Sequence, residues 1–440
     1  MTTRPLDRVT AHVREPLYRD AYALVLANLI SSALGLVYWA VAARLYRPEI
    51  VGIDAALIST MLFLSNLAQL NMRVALLRFV PEAGRDTPRF ILACYLACTS
   101  AAVVVSVAFI ATVGMWFSGS PLLSLLLDPP FAAWFIISTA FWSFFTIQDG
   151  LLTGLRRAVV VPVENAAFSA VKIVLLVVFA LSLDGNAIFL SWTVPVPVIV
   201  AAVSAFLVFR LIPRHRDRTS ERGLRMKPRR LVSFLALDYV ASLFVMMTVT
   251  LLPIVVVAVA GPEQGAYFYL AWLVITSLQL IPNYLVASLT VEAVHDTDGL
   301  ARHARRVLAY MVRLFAPAVV VVSLAAPWIL AVFGEGYAAE GADLLRVGAL
   351  GLIPYAVNVL FIGTARVQGH GRVILGVHGA LGVLTLVVSA ALLGPLGIAG
   401  VGFAWLISNT AVCIAVILLG LRPLFLLPAA GQQAGVEPLD

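Results

Sequence analysis

The stretch 158–183 is otherwise apolar but carries Glu164, Asn165, Ser169 and Lys172. At 3.6 residues per turn, Asn165 lies within about 20° of Lys172 on a helix, with Ser169 between them. These three form one polar stripe, while Glu164 lies about 80° away and too far down for a direct pair with Lys172. A lysine so placed can line a cavity that takes an anionic group, or pair with a carboxylate such as Asp238 on another helix. Asp54, Glu164 and Asp238 are the acids at membrane depth, suited to a proton or sodium ion, or to capping and interface work. Arg44 and Arg47 stand against the prevailing charge distribution. They can meet an anion in an open vestibule, pair with Glu49, or reach headgroups. Arg73 and Arg78 lie on a short amphipathic stretch that Pro81 is expected to end. Asn28, Asn66, Asn283, Asn358 and Asn409 offer amides to ligand hydroxyls or to neighbouring helices.

No catalytic or cofactor constellation accompanies these residues. Walker A, Gly-x-Gly-x-x-Gly opening a helix after a strand, and His-Glu-x-x-His are absent from the sequence. The six histidines are scattered without metal-ligand spacing. Cys94, Cys98 and Cys413 lie in apolar runs and imply no disulfide framework. A non-enzymatic protein without cofactor or metal is expected.

The elements that must position the polar residues are membrane helices. Of 440 residues, 61% are hydrophobic and 12% charged, with mean hydropathy +0.98. Soluble domains average roughly 45–50% apolar and about 25% charged, so the excess apolar surface must face lipid. Charge-free runs of spanning length, together with 158–183, give twelve helices; the run 373–421 is cut in two at Gly394-Pro395-Leu396-Gly397. The first span, 21–43, is too long for a signal peptide and is read as uncleaved.

Basic residues orient the spans. With both termini cytoplasmic, 25 of the 30 lysines and arginines fall inside, nine of them between Arg210 and Arg230. Arg44, Arg47 and Arg346 fall outside, and Lys172 and Arg313 within spans. The arginine-rich run reads as a solvated topogenic linker that also meets anionic lipid headgroups. Nucleic acid is not expected, since no aromatic residues interleave the arginines. A shift of 213 or 214 residues brings Pro48-Glu49 onto Pro262-Glu263, Glu164 onto His378 and Trp192 onto Trp405. The pattern suggests a six-helix lobe at 1–212, a linker at 213–230, a second lobe at 231–428 and a tail at 429–440. An even span count per lobe makes the lobes related by a pseudo-two-fold axis along the membrane normal, with a cavity between them.

Several segments resemble the oligosaccharide-lipid flippases of the polysaccharide-synthesis branch within the multidrug/oligosaccharidyl-lipid/polysaccharide exporter superfamily. They are Ala27-Asn28-Leu29 through Ala42-Ala43-Arg44-Leu45, Val51-Gly52, and Leu77-Arg78-Phe79-Val80-Pro81-Glu82. Pro327-Trp328-Ile329-Leu330 with Phe333-Gly334 and Tyr337 downstream, and Gly397-Ile398-Ala399-Gly400-Val401-Gly402-Phe403-Ala404-Trp405, complete the set. The resemblance spans nearly the whole chain through loose patterns. It implies an all-α, MATE-like protein in a bacterial cytoplasmic membrane that moves an undecaprenyl-pyrophosphate-linked sugar outward by alternating access. Lys172, Arg44, Arg73 and Arg78 would then meet the pyrophosphate, Asn28, Asn165 and Ser169 would line its path, and a proton or sodium ion would drive it. The similar lipid II flippases commonly have fourteen spans. A MATE-type cation exporter is the alternative, yet 21–43 lacks the acidic residue typical of its first span. A non-transporting membrane scaffold is the third reading.

Overall fold

The computed structural model describes residues 32–116, 121–182, 185–219, 239–295 and 299–418. Asn28, Asp238 and the linker beyond Thr219 lie outside the described residues. The described chain is helical throughout, with no strand among the described residues. Among the described residues ten helices are long and apolar enough to cross a membrane, and a shorter apolar helix, Ser32–Leu45, precedes them. Side chains such as Met115, Leu181, Phe209 and Trp328 stand exposed. Such a surface is stable only against hydrocarbon.

Proline and glycine set the boundaries. Pro48, Pro129 and Pro195 open helices at the position where a missing N–H costs nothing, and the Asp128 carboxylate accepts from the Phe131 N–H at 3.3 Å to cap the second of these. Gly397 adopts φ 59° and ψ −152° and breaks Gly371–Val416 within the 394–397 turn read from the sequence. Three five-residue π turns, Leu207–Leu211, Met247–Leu251 and Met311–Phe315, each run directly into a helix with proline at its start. The widened turn takes up the carbonyl that a proline ring would otherwise strike.

Two boundaries differ from the sequence reading. Pro81 does not end the amphipathic stretch, which continues as Met72–Ala83 with the proline inside its last turn. The uncharged run 314–334 of the sequence would start a span at residue 314, whereas the helical stretch begins earlier and spans Leu300–Leu324, because the exposed Arg302, Arg305 and Arg306 do not interrupt it.

Pro48–Ala68 packs closely against Pro262–His295. A Cβ added at Gly52 would lie 1.8 Å from the Pro262 carbonyl oxygen and 3.0 Å from the Ala266 nitrogen. Only glycine allows the two backbones to approach so closely. Beside this crossing the Arg44 guanidinium donates to the carbonyls of Ala331 and Val332, at 2.8 and 3.1 Å, 287 and 288 residues along the chain. At the opposite end of Pro48–Ala68, the Tyr239 hydroxyl donates to the Leu67 carbonyl.

Candidate functional site

Lys172 projects from Val160–Ala180 and is 4% exposed. Its ammonium lies 3.6 Å from the centre of the Trp192 ring, 4.7 Å from Tyr38 and 5.0 Å from Phe168. Among the described residues no carboxylate forms an ion pair with it. The faces of three aromatic rings carry the partial negative charge that holds the cation, an interaction worth about 0.5–2 kcal/mol per ring.

Each wall of this cage is itself held. The Tyr38 hydroxyl donates to the Ile188 carbonyl at 3.0 Å and lies 2.8 Å from the Ser191 hydroxyl. Trp192 meets Tyr38 and Phe168 edge to face, with centroids 5.3 and 5.9 Å apart, and Trp142 closes the back. Trp39 continues the aromatic surface from Trp192 to Tyr269 on Pro262–His295, at 4.5 Å. Through Trp39 the cage is in contact with the helix that crosses at Gly52.

The polar stripe is partly retained. Ser169 is buried beside Lys172, whereas the Asn165 amide donates to the Val161 carbonyl of its own helix at 3.0 Å. Glu164 is 5% exposed and neither carboxylate oxygen has a hydrogen-bond partner.

Asp54 has a structural task. One carboxylate oxygen accepts from the N–H groups of Ile188 and Phe189, at 2.9 and 3.1 Å, in the first turn of Ala187–Thr193. Asn186, at the cap position of that helix, makes no side-chain cap, so the buried aspartate serves in its place. This also fixes Trp192, which lies on the same helix. Asp54→Ala orphans two buried donors and is expected to cost about 2–4 kcal/mol. Asp54→Asn keeps an oxygen acceptor and most of the stability. Melting curves check both, and a wild-type melt for Asp54→Ala would remove the capping role.

The arginines do not converge on Lys172 as a single site. Arg44 donates to the carbonyls of Ala331 and Val332, while Arg47 takes Glu49 at 3.3 Å. Arg78 pairs with Glu82 at 3.7 Å on an exposed face. Arg73 is exposed on the same short helix. The cage residues Tyr38, Phe168 and Trp192 were not singled out as ligand-facing from the sequence. Trp192 stood out only as a repeat marker, and aromatics at span positions are too common to signal a site.

The helical architecture is a fold seen in solved structures of membrane transporters. The chain is similar to a structure of the lipid II flippase MurJ in an inward closed conformation, at 12% identity and TM-score 0.72, covering 90% of this chain and 86% of that one. It is also similar to an inward-facing multidrug resistance MATE family transporter of the MOP superfamily, at 16% identity and TM-score 0.61 over 91% and 94% of the two chains. A third likeness is to a MOP superfamily transporter from Pyrococcus furiosus, at 16% identity and TM-score 0.56 over 92% and 93%, for which a reversed polarity of the binding pocket is described. No protein-family model matches the sequence, and no curated protein does.

Proposed function

We propose that this protein is a flippase that carries a lipid-linked, anionic glycan, of the undecaprenyl-pyrophosphate class, across a bacterial cytoplasmic membrane by alternating access. The observation that carries the reading is Lys172, a cation buried among rings with no ion-pair carboxylate among the described residues. A charge at this depth is costly, roughly 2.5–3.5 kcal/mol on insertion scales. An anionic headgroup would provide the missing counter-charge, and the rings would stack against sugar faces. A cationic drug would meet repulsion at the same point. Glu164, buried with both oxygens unbonded, is assigned to a coupling proton or sodium ion.

The reading includes two six-helix lobes, 1–212 and 231–428, joined by 213–230, with twelve spans and both termini cytoplasmic. The Gly52 and Arg44 contacts then close the outer side. A cysteine at Gly261 or Gly336 is expected to react with an impermeant thiol reagent on intact cells, and one at Thr219 only after permeabilisation. Labelling at Thr219 in intact cells would overturn the orientation.

Function is tested by deleting the gene. Surface polysaccharide should be lost and lipid-linked glycan retained on the inner leaflet. Unchanged polysaccharide with heightened sensitivity to cationic drugs would replace the flippase with an exporter.

A further inference from the structure

A cavity lies within the second half of the chain, lined by none of the Lys172 cage residues. Its volume is about 390 Å³, within the range of small-molecule sites, and every described lining residue falls between Ala241 and Trp405. One wall is polar: the Asn283 amide donates to the Tyr355 hydroxyl at 3.1 Å and to the Gln279 carbonyl at 2.8 Å, with Thr248 and Thr290 on the same lining. Tyr355 and Trp405 form a tilted aromatic pair with centroids 5.6 Å apart, and the buried Trp405 indole N–H has no acceptor. Arg366 and His378 also line the cavity, and no carboxylate does among its described residues.

We infer that this cavity is a glycan-binding site that receives a sugar unit of the transported lipid-linked molecule, separately from the caged lysine. Amides and hydroxyls on one wall match sugar hydroxyls, and aromatic faces match the apolar C–H faces of the ring. Arg366 matches a phosphate or acidic sugar at the rim. A polyprenyl chain fits less well, since it would bury the Gln279 and Asn283 amides without partners for their remaining donors and acceptors. A cationic ligand finds no counter-charge. Trp405 is the residue that the 213-residue shift places on Trp192. The corresponding tryptophan in the first half packs a lysine, whereas in the second half it borders open space.

The inference rests on the flippase reading, and the test separates the two. Reporter cysteines are placed at Ala287 and, as a second site, at Thr290, in full-length protein with Cys94, Cys98 and Cys413 replaced by alanine. Maleimide labelling is followed in nanodiscs with three probes. These are the polyprenol-linked glycan fraction of the source membranes, the free glycan released from it by mild acid, and polyprenyl phosphate. The inference expects the first two to slow labelling at least fivefold and polyprenyl phosphate to leave it unchanged. Protection by polyprenyl phosphate alone would make the cavity a lipid site, and protection by none would empty the assignment. Translocation of the same fraction by wild-type protein in vesicles is measured in parallel. Transport without protection refutes the cavity, and protection without transport refutes the flippase reading.

Discussion

Lys172→Ala is expected to reduce translocation of the lipid-linked glycan by at least tenfold while the protein melts within a few degrees of wild type. The substitution loses ring contacts worth about 0.5–2 kcal/mol each. It also relieves the desolvation of a buried charge, several kcal/mol in the opposite sense. The two nearly offset, so the loss falls on the ligand's headgroup and not on the fold. Lys172→Met, which fills the same volume without charge, should transport as poorly as alanine. Lys172→Arg should recover part of the activity, since a guanidinium stacks on Trp192 but presents a wider, planar head. Transport per molecule intact in Lys172→Ala would refute the site. A loss of stability of roughly 3–5 kcal/mol would instead reveal a stranded carboxylate on another helix.

The second large effect is expected at Gly52. Its neighbours within 3.0 Å of an added Cβ, the Pro262 carbonyl and the Ala266 nitrogen, are backbone atoms and cannot rotate away. Gly52→Ala must therefore push Pro48–Ala68 off Pro262–His295, at a cost of about 1–3 kcal/mol or more. If this crossing closes the outer side, that cost is charged only to the closed arrangement, and the open one gains in population by roughly ten- to a hundredfold. A cysteine introduced at Ala55, which is 1% exposed, reports the change. It should react slowly with an impermeant reagent in an otherwise wild-type chain and at least tenfold faster beside Gly52→Ala. Arg44→Ala, which removes exposed bonds to two carbonyls, should produce the same shift more weakly. Unchanged melting and an unreactive thiol in Gly52→Ala would mean that the crossing is not a moving contact.

The helical membrane architecture and the burial of Lys172 were both legible in the sequence. Long uncharged runs have no other use than spanning, and a single lysine among twenty apolar residues cannot be placed elsewhere. What surrounds Lys172 was not legible. Trp192 reaches it only because Ala187–Thr193 is seated by Asp54, 134 residues earlier, and that bond is made to backbone N–H groups, which leave no mark on residue identity. The Arg44 contacts were hidden for the same reason, since its acceptors are carbonyls. Helix boundaries near arginines also escaped, as at Leu300–Leu324, because a charge ends an uncharged run without ending a helix.

The rarity of lysine gives the cage a practical consequence. The chain contains only Lys172 and Lys227, so amine-directed acylation has two side-chain targets, and the second belongs to the basic linker. Packed under Trp192, the Lys172 amine is shielded from an acylating reagent, and each opening of the cage presents it. Its rate of acylation, followed by mass spectrometry on unmutated protein, is therefore a clock for cage opening that comes built into the chain.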